Sequence, residues 1–84
     1  MATFLATIHV RPKGDVRDPQ GEAIAGALRS LGLEVRDVRA GKEIVVRFEA
    51  SDPSTAEAAA RRMGDELLAN PVIEEYEVEV RESS

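Results

Sequence analysis

Apolar and polar residues alternate with a period of two in some stretches of this chain and recur at helical spacing in others. Residues 3–11 place Phe4, Ala6, Ile8 and Val10 on one face and Leu5, Thr7, His9 and Arg11 on the other, which predicts a strand ended by Pro12, Gly14 and Asp15. Asp18-Pro19 is a good helix start, since Asp caps the first turn and Pro suits the first helical position. Ile24, Ala27, Leu28 and Leu31 then recur at helical spacing up to Gly32, so a helix is expected over 19–31. Gly21 and Gly26 lie inside it, where each costs about 1 kcal/mol relative to Ala. Leu33, Val35 and Val38 suggest a second strand over 33–40, with a bulge or twist where the spacing slips. Gly41-Lys42 reads as a turn, and Ile44, Val46 and Phe48 alternate with Val45, Arg47 and Glu49 in a third strand over 43–50; the two strands read as a hairpin. Ser51, Asp52 or Ser54 caps a second helix with the stripe Ala56, Ala59, Ala60, Met63 and Leu67, stopped by Asn70-Pro71. Tyr76, Val78 and Val80 alternate with Glu75, Glu77 and Glu79 in a fourth strand over 72–81.

The order β-α-β-β-α-β predicts a single α+β domain over 1–84, a two-layer ferredoxin-like split βαβ with an antiparallel sheet and both helices on one face. The helix-free face then carries Leu5, Val45 and Ile73 among Thr7, His9, Arg47 and Glu77. That mixture fits either a protein–protein contact or an ordinary open sheet face.

Composition adds that the core is thin. In 84 residues there are three aromatics, Phe4, Phe48 and Tyr76, and many apolar positions are Ala. With no cysteine to staple it, such a domain is a candidate for oligomerisation. The absence of cysteine excludes disulfides and thiolate zinc sites. The N-terminus has no secretory pattern and no stretch approaches 18 apolar residues, so a cytoplasmic location is expected. Eleven basic and 16 acidic residues give a net charge of −5, which disfavours nucleic acid and anionic membranes as partners.

No catalytic set can be assembled from the sequence. His9 is the sole histidine, in mid-strand, with no neighbouring nucleophile or second ligand. Glu74, Glu75, Glu77, Glu79 and Glu82 cluster, but Glu75, Glu77 and Glu79 form a period-two row on one strand face, which a solvated or partner-facing stripe explains better than a metal cage. The glycines make neither a GxxxxGK[ST] nor a GxGxxG fingerprint. The expectation is a chain without catalytic, metal-binding or cofactor-binding residues that works by binding protein.

Four blocks carry a family resemblance: K-G-D-V-R-D-P-Q-G at 13–21, L-R-S-L-G at 28–32, V-R-A-G-K at 38–42 and L-L-A-N-P-V-I-E-E-Y at 67–76. In this order and length the chain resembles the PurS family, the small subunits of formylglycinamide ribonucleotide amidotransferase (phosphoribosylformylglycinamidine synthase). The resemblance implies an accessory subunit in de novo purine synthesis, bridging a PurL-like ligase and a PurQ-like glutaminase so that ammonia reaches formylglycinamide ribonucleotide. It implies self-association as a homodimer or dimer of dimers. ATP, magnesium and glutamine are then used by the complex, with none bound by this chain. Polar or amphipathic residues without a clear core duty are the interface candidates: Lys13 and Asp18 in the first loop, Arg39 and Lys42 at the turn, and Glu74 and Tyr76 entering the last strand. The competing reading is a stand-alone ferredoxin-like dimer that senses or regulates through a small ligand.

Overall fold

The computed structural model describes residues 1–83. Three strands, β1 (Ala2–Pro12), β2 (Lys42–Ala50) and β3 (Glu74–Ser83), form one antiparallel sheet in the order β2-β1-β3. The register sets Phe4 opposite Phe48, and Ile8 opposite both Ile44 and Val78. One face therefore carries Phe4, Ala6, Ile8 and Val10 at the centre, each at most 2 % exposed. The Phe4 and Phe48 rings sit 6.4 Å apart in a tilted pair.

Two helices complete the order, α1 (Pro19–Ser30) and α2 (Pro53–Met63). Asp52 caps α2 by accepting from the Thr55 amide at 2.7 Å, and Pro53 occupies its first position. Ala56 and Ala60 are fully buried against the sheet, so α2 approaches the strands closely. The stripe does not end as the 3.6-residue spacing predicts. Gly64–Leu68 forms a π-helical turn, in which the Ala69 amide donates to the Gly64 carbonyl five residues back. The extra residue rotates the face, so Leu68 and Ala69 turn inward while Leu67 is left 81 % exposed.

The expected antiparallel sheet and its two helices are present, but the segment after α1 departs from the sequence reading. Residues 33–41 form neither helix nor strand and join no strand of the described sheet, so no hairpin links them to β2. The reason lies in where their backbone groups bond. The Leu33 amide donates to the Leu28 carbonyl, and the Arg29 guanidinium donates to the carbonyls of Val35 and Arg36. The Ala40 amide donates to the Asp18 carboxylate at 2.7 Å. The segment, which carries no regular secondary structure and is called the return strand, thus runs back along α1 with the Leu33 and Ala40 amides and the Val35 and Arg36 carbonyls already bonded there. Ile73, expected on the helix-free face, lies instead in the turn before β3, where its carbonyl accepts from the Lys13 amide.

α2 lies over all three strands, chiefly β3, whereas α1 makes no comparable contact with any of them. Helix and return strand form an arm whose tip is the left-handed Gly32 (φ 87°). The Cα radius of gyration is 16.2 Å and the long dimension 51 Å. A closed domain of this length would have a radius of about 12 Å.

The π turn supplies a test. Gly64 has helical φ and ψ, so alanine there gains about 1 kcal/mol of helix propensity. An added Cβ would lie 2.6 Å from the Tyr76 ring, whose hydroxyl is tethered to Asp65 and Arg61. Overpacking of this kind costs about 1–3 kcal/mol. Gly64→Ala should therefore lower Tm by several degrees in a thermal melt; an unchanged or higher Tm would show that the ring moves aside.

Candidate functional site

The loops at the Pro12 end of β1 converge where the arm leaves the sheet. Asp18 is the centre of this junction, 8 % exposed. One carboxylate oxygen accepts from the Gly21 amide at 3.0 Å, capping α1, and the other accepts from the Ala40 amide at 2.7 Å. The carboxylate so joins both ends of the arm. The Ala40 bond, then the Gly21 bond, hold its pKa below the usual aspartate range. Gly21 is needed for the same approach, because a Cβ there would collide with the Val38 carbonyl and with Asp18.

Lys13 and Arg39 close the junction. The Arg39 guanidinium donates to the carbonyls of Lys13 (2.6 Å) and Val16 (3.0 Å). The Lys13 ammonium donates to the Pro71 carbonyl at 2.7 Å, tying the arm root to the turn before β3. That turn is set by Asn70, whose side-chain oxygen accepts from the Val72 amide while its own amide donates to the Glu74 carboxylate at 2.8 Å. Lys42 and Glu74 line one shallow cleft with Asp18, Gln20 and Gly41. Five of the six residues singled out in the sequence thus meet at the junction.

Tyr76 does not join them. Its ring packs on Gly64, and its hydroxyl lies 2.7 Å from the Asp65 carboxylate, to which it donates, and 3.0 Å from the Arg61 carbonyl. The Asp65 bond, and then partial burial, raise its pKa. Asp65 carried no signal in the sequence; it reads as a solvent-facing helical carboxylate until the π turn is known.

Of the six, Lys42 is the exposed cation whose side chain bonds to no other described residue. Lys13, Asp18 and Arg39 spend their polar atoms on the junction. No group of three His, Cys, Asp or Glu side chains among the described residues is placed to hold a metal.

Sequence reasoning also missed the outward face of α1. Gly21 and Ala25 are buried against the return strand, while Ile24 (39 %), Leu31 (76 %) and Leu33 (52 %) point away from this chain's own core. The amphipathic stripe that defined the helix in the sequence is the side left uncovered.

The PurS family model, described as phosphoribosylformylglycinamidine (FGAM) synthase, matches residues 5–82. The chain belongs to the PurS family. A Thermotoga maritima relative named phosphoribosylformylglycinamidine synthase subunit PurS is 43% identical over 79 residues, covering 93% of this chain and 96% of that one. The structure of Thermus thermophilus PurS superposes with a TM-score of 0.90 and 41% identity over 98% of this chain and 99% of the other. A chain in the structure of PurLQS from Thermotoga maritima matches with a TM-score of 0.85 and 43% identity, over 99% and 100% of the two chains. The PurS match covers sheet, α2 and arm together, so the projecting arm belongs to the fold on which the superposition rests.

The junction predicts a pH signature. A carboxylate with a depressed folded pKa contributes stability above its unfolded pKa, about 3.9, and loses it as pH falls through the folded value. Asp18→Asn should melt below the parent chain by about 5 °C or more at pH 7, with the gap narrowing below about pH 4. A gap independent of pH from 7 to 3 would mean that the charge of Asp18 plays no part.

Proposed function

We propose that this chain is a non-catalytic bridging subunit of a cytoplasmic phosphoribosylformylglycinamidine synthase, working as a homodimer between a PurL-like ligase and a PurQ-like glutaminase. The observation that carries the reading is the arm: a helix with its apolar stripe turned outward and a return strand outside its own sheet. A chain built this way is completed by another chain. α2 leaves the β2 side of the sheet more open, and Ile44 and Val46 are only half buried there. The arm of a second copy fits that space, with Leu31 and Leu33 against Ile44 and Val46.

The similarity to a chain in a PurLQS structure supports the assembly reading. In it, ATP, magnesium and glutamine are handled by the larger subunits. This chain contributes position: it holds glutaminase and ligase in register so that ammonia reacts before it escapes to water. Lys42 and the cleft it shares with Glu74 are the contact to a larger subunit, since Arg39 and Lys13 are committed to holding the arm.

Two outcomes are expected. Light scattering after size exclusion should give the isolated chain at least twice its 9.1 kDa mass, and Leu31→Asp with Leu33→Asp should reduce that to a monomer. Mixed with PurL- and PurQ-type subunits, glutamine and Mg-ADP, the parent chain should co-elute and support glutamine-dependent ligation, and Lys42→Glu should weaken co-elution without changing Tm. A parent chain that neither co-elutes nor affects the activity refutes the bridging role, and a monomeric parent chain refutes the homodimer.

A further inference from the structure

Between the arm and the sheet lies a cleft of about 680 Å³ that the bridging role does not use. On one wall Asp18, Glu22, Ala25 and Arg29 recur at helical spacing, on the side of α1 away from Ile24 and Leu31. The return strand supplies a second wall through Arg36, Asp37, Val38 and Arg39. Arg11 and Glu75, which lie opposite each other across β1 and β3, close the cleft toward the sheet. The proposed arm contact uses the outward stripe of α1 and so leaves this cleft open.

Five arginines and four carboxylates line the cleft, in a chain whose net charge is −5. Arg11 pairs with Glu75 and Arg17 with Glu22, so these four side chains offset one another. Asp18 turns its two oxygens to the amides of Gly21 and Ala40, and Asp37 is the remaining carboxylate. Arg29, Arg36 and Arg39 have no carboxylate at ion-pair distance among the described residues. Two of these three are held by neutral groups. Arg29 donates through Nε and Nη2 to the Val35 and Arg36 carbonyls, and Arg39 through Nη2 to those of Lys13 and Val16. Carbonyls orient a guanidinium without cancelling its charge. Each guanidinium has five N–H donors, so Nη1 of Arg29, Nε and Nη1 of Arg39 and the whole fork of Arg36 stay unspent.

We infer that this cleft binds a phosphorylated small molecule the size of a nucleoside monophosphate, with its phosphate on Arg29, Arg36 and Arg39. Guanidinium forks match phosphate oxygens bidentately, and charge-assisted bonds of this kind are about twice as strong as neutral ones. An excess of one cation over the lining carboxylates suits a single phosphate group better than a polyphosphate chain. Pro12, Ala25 and Val38 give the cleft an apolar wall, which favours an organic phosphate over the free ion. Asp37 is left as the acceptor for a hydroxyl of the organic part. The volume falls within the range of small-molecule sites, about 300–1,000 Å³. All of these groups come from one chain, so the site rests on neither the dimer nor the bridging role.

The test is a titration of the full chain, labelled with nitrogen-15, with AMP at low ionic strength, followed through backbone amide and arginine Nε–H signals. Saturable binding with a Kd below about 1 mM is expected. It should shift the signals of Arg29 and residues 36–39 and weaken as salt is added. Adenosine, which lacks the phosphate, should not bind, and inorganic phosphate should bind more weakly than AMP. The Arg36 side chain bonds to no other described residue, so Arg36→Gln should keep the parent melt and weaken AMP binding at least about tenfold. Arg36→Lys, which keeps the charge without the fork, should fall between Arg36→Gln and the parent. Arg81, on the sheet opposite Leu5, is also without an ion pair among the described residues, and Arg81→Gln should leave AMP binding unchanged. No saturable shift, adenosine or inorganic phosphate binding as tightly as AMP, or equal losses in Arg36→Gln and Arg81→Gln would overturn the inference.

Discussion

The structure depends on one carboxylate that serves two backbone amides far apart in sequence. Asp18 caps α1 through Gly21 and grips the return strand through Ala40. Because both ends of the arm end on one side chain, the arm leaves the sheet as a unit and does not drift as two loose segments. Arg39 and Lys13 fix its direction by bonding to carbonyls of the neighbouring loops. All of these bonds are local to the junction, and none of them covers the outward stripe of α1.

The other constraint is supply of apolar surface. The core is a single layer of Phe4, Ile8 and Val10 under the alanines of α2, with half-buried neighbours from β2 and β3. Alanine lets helix and sheet approach closely but removes little area from water, at about 25 cal/mol per Å². A chain so thinly filled gains more from apolar residues carried to a partner than from folding them back. The arm and the open β2 side are two aspects of that one economy.

Much of this was legible in the sequence. Period-two alternation places β1, β2 and β3 to within about two residues, Asp18-Pro19 marks the start of α1, and of the three cap candidates for α2, Ser51, Asp52 and Ser54, the structure uses Asp52. The return strand was not legible as such. Leu33, Val35 and Val38 read the same whether their backbone bonds to a sheet or to a helix; the decision lies with Arg29 and Asp18, whose reach is not encoded in hydrophobic spacing. The slipped spacing, which suggests a bulge or twist, belongs to a segment that joins no sheet. Likewise Leu67 falls on the apolar stripe when the helix is counted at 3.6 residues per turn, and the π turn that exposes it lies where Gly64 admits the Tyr76 ring. At the junction, Lys13, Asp18 and Arg39 are legible as polar residues in loops, but their role there is to bond to backbone. The family blocks at 13–21 and 38–42 are the two halves of that junction.

Cover of the outward α1 stripe by a second copy of this chain can be read without mutation. Isotope-filtered NOE spectroscopy on a mixture of labelled and unlabelled protein reads this directly, because only contacts between copies survive the filter. Intermolecular NOEs are expected from the methyl groups of Leu31 and Leu33 to those of Ile44 and Val46. The same methyl pairs seen only within one chain, or a filtered spectrum without them in a sample at dimer mass, would contradict it.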